Sequence, residues 1–329
     1  MKKHFLPKYL LTVTALIICA VLSLILGSEK LSVSQIFSAL FYSDGSPAAI
    51  IVRFVRLPRL CAALLSGFGL ALSGTLLQNV TRNELAGPNI IGVNSGAGIA
   101  TISLLCFFPH VTALLPLVSS LGAIFATLII IALSRRMGGS KVSVILAGIA
   151  LTAILNAGIS FISLLDTDAL ASYNFFSIGG LSGVRLQKLL IPSVMIGVSF
   201  LVSLILSGNL GVLCLGDSLA SSLGIRVSLI RTLALVTASV CAAASVSFAG
   251  LLGFVGLVVP HISRALFGHN VRRELLASPL IGAALVTLGD TLGRFLIPPT
   301  EIPVGIVMAA VGAPFFLILL LRRKNYAQN

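Results

Sequence analysis

Between Leu85 and Ser134 the chain carries no Asp, Glu, Lys or Arg, and a second charge-free run extends from Thr232 to Pro260. These runs constrain the fold more than any other feature. About 20 consecutive apolar residues cross the hydrocarbon core of a bilayer as a helix, a form that satisfies every backbone polar group within the segment. The Leu85–Ser134 run is too long for one crossing, and Pro109-His110 divides it into spans at about 90–108 and about 113–134. The Thr232–Pro260 run divides near Ser247–Gly250 into one span and a second, glycine-rich one. Further spans fall at about 10–28, 58–80, 142–165, 189–207, 275–297 and 303–321. The expected fold is an all-α integral membrane protein of about ten transmembrane helices, forming a single domain over residues 1–329.

The charge balance agrees. Only 9% of residues are charged and 57% are hydrophobic, against roughly 25% charged in a soluble domain, too few to coat a water-facing surface. A formal net charge of +13 would point to nucleic acid in a soluble protein. Here the basic residues sit between apolar runs, where they report topology, and no nucleic-acid partner is expected. With the N-terminus cytoplasmic, most of the 22 Lys and Arg lie inside, among them Lys2, Lys3, Lys8, Arg135, Arg136, Lys141, Arg231, Arg264, Arg272 and Arg273. Lys30, Arg53, Arg56, Arg59, Arg185, Lys188 and Arg294 fall outside, together with the acids Glu29, Asp44, Asp166, Asp168 and Glu301. The C-terminus is then cytoplasmic too, in a multi-pass protein of the cell membrane. The run Leu10–Gly27 behind Lys2, Lys3 and Lys8 has the look of a signal peptide, but no small-x-small site follows it, so a retained first helix is expected.

No enzymatic constellation is present, and no catalytic residue is assigned. Gly138-Gly139-Ser140-Lys141 lacks the spacing of a phosphate-binding loop. Cys19, Cys61, Cys106, Cys214 and Cys241 lie in or beside apolar segments without a CxxC pair, and His4, His110, His261 and His269 are scattered. Neither a disulfide framework nor a metal or cofactor site is indicated. Asp290 is the clear acid within the spans, and its expected role is a structural pairing with Arg294 one turn on. An ion-coupled secondary transporter is the alternative reading, but such carriers need several intramembrane ionisable groups; energy is expected from another subunit.

Small residues recur in packing patterns: Ala63, Gly67, Ala71 and Thr75 at intervals of four, then Gly250, Gly253 and Gly256, then Gly289 and Gly293. Residues 71–76 faintly echo 247–252, a hint of internal duplication. Two features go beyond packing. Arg56 and Arg59 share a helix face before the second span, with Arg294 as a further outer cation. They serve either as lipid or local-pair anchors, or as a docking site for carboxylates. In the loop near 209–226, Asp217 and Gly224 bracket a short helix as N-cap and C′ residue. Leu219, Ala220 and Leu223 would line one side of that helix, to seat in a partner groove or on lipid.

With these segments placed, the sequence closely resembles the FecCD family, permeases of type II ABC importers for iron-siderophores, haem and cobalamin. The resemblance runs along almost the whole chain. It rests on Arg56-Leu57-Pro58-Arg59, Ser73-Gly74-Thr75-Leu76-Leu77-Gln78, Arg82–Pro88 with Ile91-Gly92, and Leu215-Gly216-Asp217 with Ala220 and Leu223-Gly224. Gly253–Arg264, Asp290 with Arg294, Glu301–Ile306 and Gly312–Phe316 complete it. The resemblance implies a permease that pairs with a second copy or a paralogue. Two cytoplasmic ATP-binding subunits and an extracytoplasmic substrate-binding protein would complete the importer, whose cargo is a metal chelate. It implies binding-protein docking at Arg56, Arg59 and Arg294, and coupling to the ATPase through Gly216, Asp217, Ser218, Leu219, Ala220, Leu223 and Gly224. It further implies a cytoplasmic gate at Ser140, Lys141, Val142 and Ser143, with the spans at about 142–165 and 303–321 bordering the pathway. Two departures stand out. The family's usual Asn-Pro-Leu-Ala reads Asn83-Glu84-Leu85-Ala86, which implies a less rigid turn, and the Trp common near Tyr173–Gly183 is missing.

Overall fold

A computed structural model describes residues 5–27, 29, 31–41, 46–297 and 300–326; the expected placements of Lys2, Lys3, His4, Lys30 and Asp44 lie outside the described residues. Among those described, every regular element is helical. Helix α1 (Leu6–Ile25) leads to a short α2 (Val33–Phe41). A single turn, α3 (Pro47–Ile50), and a π-helical stretch (Ile51–Arg56) run directly into α4 (Leu57–Thr81). Then follow α5 (Val93–Phe107), α6 (Leu115–Arg136), α7 (Lys141–Ser163), α8 (Thr167–Ile178) and α9 (Leu186–Leu213). The six-residue α10 (Asp217–Ser222) precedes α11 (Val227–Ala249), α12 (Val255–Phe267), α13 (Val271–Phe295) and α14 (Val304–Tyr326). Among the described residues, 7 helices are long and apolar enough to cross a membrane, and three shorter apolar ones, at Val93–Phe107, Val255–Phe267 and Val304–Ile318, complete the expected set.

Most spans occur where the charge-free runs put them; α12 instead runs past Pro260 through His261 and Arg264, and two further corrections apply. Helix α9 is longer than the 189–207 expected, because Leu186–Lys188 and Ser207–Leu213 continue it at both ends. The glycines 250, 253 and 256 do not form one helical ridge, since α11 stops at Ala249 and α12 starts at Val255. For the same reason the echo of residues 71–76 in 247–252 is not a structural repeat: the first lies inside α4 and the second leaves its helix. Non-helical backbone at membrane depth requires partners within the protein. It finds them in α8, whose Phe176 carbonyl accepts from Leu251 N at 3.0 Å, while Gly180 N donates to Ala249 O at 2.9 Å.

The centre of the bundle is α4, buried along most of its length and packed on α11, α12 and α13. Backbones meet there at glycines. A Cβ added to Gly67 would lie 2.2 Å from the Gly282 carbonyl oxygen of α13, and one on Gly74 would lie 1.8 Å from that of Gly256 in α12. Without a hydrophobic difference between helix and lipid tail, such close packing is what holds helices together in a bilayer. The outer faces are apolar, with Ile154, Leu190, Leu201 and Ile205 exposed.

Candidate functional site

Charged side chains gather at the two ends of the bundle. At one end the π-helical stretch delivers Arg56 and α4 delivers Arg59, while α13 supplies Asp290 and Arg294. All four are buried, the arginines only 3%, 6% and 4% exposed. Arg56 donates to the carbonyls of Leu24, at 2.5 Å, Ile25, at 2.9 Å, and Glu29. It thereby satisfies the carbonyls that α1 leaves open at its C-terminus, where the helix dipole also favours a cation. Arg59 spans two acids: its Nε lies 3.0 Å from both Asp290 oxygens, and its Nη1 lies 2.5 Å from Glu301. Arg294 pairs with Asp290 at 3.2 Å and donates to the hydroxyl and carbonyl of Ser23 at 2.8 and 3.1 Å.

The Asp290–Arg294 pair is the one expected from their spacing, but Arg59 shares the carboxylate, which the sequence did not reveal. The result stitches α1, α4, α13 and the loop before α14 together. Arg56, Arg59, Arg294 and Glu301 all line a cavity of about 160 Å³. Arg59 and Glu301 also line a larger one of about 380 Å³ beside Phe175, Phe176, Ser182 and Ser247.

At the opposite end, α10 departs from expectation in its cap. Gly216, not Asp217, is the N-cap residue. The Asp217 carboxylate, in the first turn, instead accepts from Arg231 Nη2 at 2.8 and 2.9 Å. Gly224, with φ of +78°, does close the helix. Ala220 is fully buried against the bundle, whereas Leu219 (55% exposed), Leu223 (67%) and Leu215 turn outward, and Ser218 is exposed. The apolar outer face is therefore Leu215, Leu219 and Leu223, and Ala220 is the anchor rather than part of that face.

The α6–α7 turn lies alongside. Ser140 caps α7, accepting from Ser143 N at 3.1 Å, and the Ser143 hydroxyl donates to Met137 O at 2.8 Å. Lys141 is half-buried, Val142 exposed and Ser143 buried.

Next to these a polar knot joins four helices. Asn79 donates to Glu274 at 3.2 Å, Arg264 pairs with Glu274 at 3.5 Å and with Gln78, and the Cys214 thiol lies 3.4 Å from the Asn79 side-chain oxygen. Glu274 is only 2% exposed, so Asp290 is not the sole acid enclosed by the bundle. Opposite charges on the adjoining ends of consecutive helices α12 and α13 were the available signal. The Asn83 side chain closes the following turn by accepting from Leu85 N at 3.0 Å, so an Asx turn supplies order that a proline would have given. Arg231 was also missed as a site residue, although it is the last charge before the Thr232–Pro260 run.

Apolar helices long enough to cross a membrane, with enclosed arginine–carboxylate pairs at the two ends of the bundle, define a multi-pass integral membrane protein. The comparisons make this specific. Residues 15–322 match the FecCD transport family. The chain is 34% identical over 320 residues to the Fe(3+)-citrate import system permease protein YfmE of Bacillus subtilis (strain 168), covering 97% of this chain and 96% of that one. It is 35% identical over 313 residues to the ferric enterobactin transport system permease protein FepD of Escherichia coli (strain K12), covering 94% and 93%. A solved structure described as an inward-facing conformation of a metal-chelate type ABC transporter superposes with a TM-score of 0.85 at 33% identity, covering 96% of this chain and 99% of the other. The chain belongs to the FecCD transport family.

Proposed function

We propose that this chain is the permease subunit of an ATP-driven importer that carries a ferric siderophore or a similar metal chelate across the cell membrane. The observation that carries the reading is its likeness along nearly the full length to permeases named for ferric citrate and ferric enterobactin, combined with a bundle whose ion pairs hold helices together. The chain pairs with a second copy or a paralogue, α7 and α14 bordering the shared pathway; Ile154 and Phe161 of α7 and Ile306 and Val311 of α14 are exposed and available for burial there. Both termini face the cytoplasm, following the excess of Lys and Arg at that end.

Two ATP-binding subunits seat on the segment Gly216, Asp217, Ser218, Leu219, Ala220, Leu223 and Gly224, whose outward leucines fit an apolar groove. The turn at Ser140, Lys141, Val142 and Ser143 gates the pathway. A binding protein docks on the outer end, where its carboxylates reach Arg56, Arg59 and Arg294 through the 160 Å³ cavity. Because the three guanidiniums already hold internal partners, docking exchanges ligands: a carboxylate from the partner takes the place of Glu301 on Arg59.

Reconstitution with the ATP-binding subunits and binding protein tests the whole reading, with a panel of ferric siderophores, haem and cobalamin as competitors. ATP-dependent uptake of a chelate is expected. Accumulation by the purified chain alone, driven by a proton or sodium gradient, would overturn it. Glu301→Gln removes the resident competitor and should tighten docking; an unchanged affinity removes the docking assignment. Leu219→Asp with Leu223→Asp should uncouple hydrolysis from import, and normal import by that variant would remove the coupling role.

A further inference from the structure

We propose that Arg231 is a positioning residue, a strut that carries displacement of α10 to the α6–α7 turn. The proposal rests on the importer reading and adds to it the residue that links the coupling segment with the gate.

The geometry is specific. Arg231 is the fifth residue of α11 and is almost wholly enclosed, 6% exposed. Its Nη2 meets both oxygens of Asp217 at 2.8 and 2.9 Å, and its Nη1 donates to the Gly139 carbonyl at 2.8 Å. One rigid, planar guanidinium thus holds two segments that are distant in sequence, and its fork cannot tilt toward one without moving relative to the other. Of the two, α10 is the more lightly held. Helix α10 has six residues, too few to persist by its own hydrogen bonds, and Ala220 is its one buried residue.

Gly138 and Gly139 both have positive φ, +88° and +67°, and a Cβ added to either would meet nothing within 4 Å. The turn therefore has room to move, and the carbonyl that Arg231 grips immediately precedes Ser140, the cap of α7. A pull on Gly139 acts on the residue that starts the helix. At its other contact the Asp217 side chain is 49% exposed, so the pair is accessible to whatever seats on α10, while the Arg231 end stays packed. Arg135 Nη2, bonded to the Thr232 hydroxyl at 3.0 Å, braces the same corner from α6.

Two measurements decide the matter. Amide hydrogen exchange on the purified full-length chain reads the strut without any partner. In Asp217→Ala and in Arg231→Lys, whose single ammonium cannot hold both acceptors of the fork, exchange across residues 138–143 should rise about tenfold. Arg226→Ala, an exposed neighbour on the same connection, should leave it unchanged. Exchange in Asp217→Ala within about twofold of wild type would overturn the strut.

The second measurement is chelate imported per ATP hydrolysed in the assembled importer. Arg231→Lys should lower this ratio about tenfold while hydrolysis itself continues, an outcome that mere loss of protein cannot produce; an unchanged ratio overturns the proposal. If the wild-type assembly shows no ATP-driven import, the importer reading fails, and the exchange experiment still decides whether Arg231 transmits between the two segments.

Discussion

Both ends of the bundle are built on arginine–carboxylate pairs, yet they are built for different purposes. At the Arg59–Asp290–Arg294 end, both partners are sealed, and one carboxylate serves two guanidiniums on two helices. At the Asp217–Arg231 end, the arginine is sealed and the acid is half in solvent. A fully enclosed pair cannot exchange partners cheaply, because removing one side leaves a bare charge in a poor dielectric. A pair with one exposed member is screened and easily rearranged. The first arrangement suits a fixed frame of α1, α4 and α13, to which the part-exposed Arg59–Glu301 bridge adds an exchangeable link; the second suits a joint that moves.

The contrast breaks most sharply at Asp290. Asp290→Asn strips buried Arg294 of its counter-charge, leaves Arg59 with Glu301 alone, and should destabilise the protein by roughly 3–5 kcal/mol, read as a lower midpoint in denaturant or heat while in detergent. Unfolding at the wild-type midpoint would show that this end is not a frame. Gly67→Val provides a steric comparison, since its Cβ would press on the Gly282 backbone. A loss of about 1–3 kcal/mol is expected from overpacking, less than the charge deletion. A larger loss than Asp290→Asn would mean that close helix contact outweighs the ion pairs in fixing the frame. Asp217→Asn should cost no more than about 1 kcal/mol, as befits a half-exposed pair. A loss as large as that at Asp290 would erase the distinction between the ends.

Much of this was legible in the sequence, for physical reasons that also mark where legibility stopped. Spans follow from apolar length, so the ten helices could be placed from charge-free runs, and even the break after Ser247–Gly250 was visible in its glycines. Asp290 and Arg294 were readable as a pair because four residues make one turn. Arg59 with Asp290, and Arg231 with Asp217 and Gly139, were not, since each depends on which helices become neighbours. Asp217 illustrates the limit at close range. Its residue type fits an N-cap, but the nearby arginine claimed the carboxylate and the chain started the helix from Gly216 instead. Local chemistry proposes a role, and tertiary partners dispose of it.

The short α12 has one further effect. At 13 residues it rises only about 20 Å, and irregular chain from 250 to 254, with Gly250 and Phe254 both at positive φ, leads into it. That segment is tethered to α8, and the carbonyl of Gly179, the residue that ends α8, also accepts from Gly305 N at 3.1 Å. A helix outside the ten spans therefore acts as the keystone for two inside them. Any shortening or lengthening of the α7–α9 connection would be felt at the roots of α12 and α14, which leaves that connection far less free to vary than its peripheral position implies.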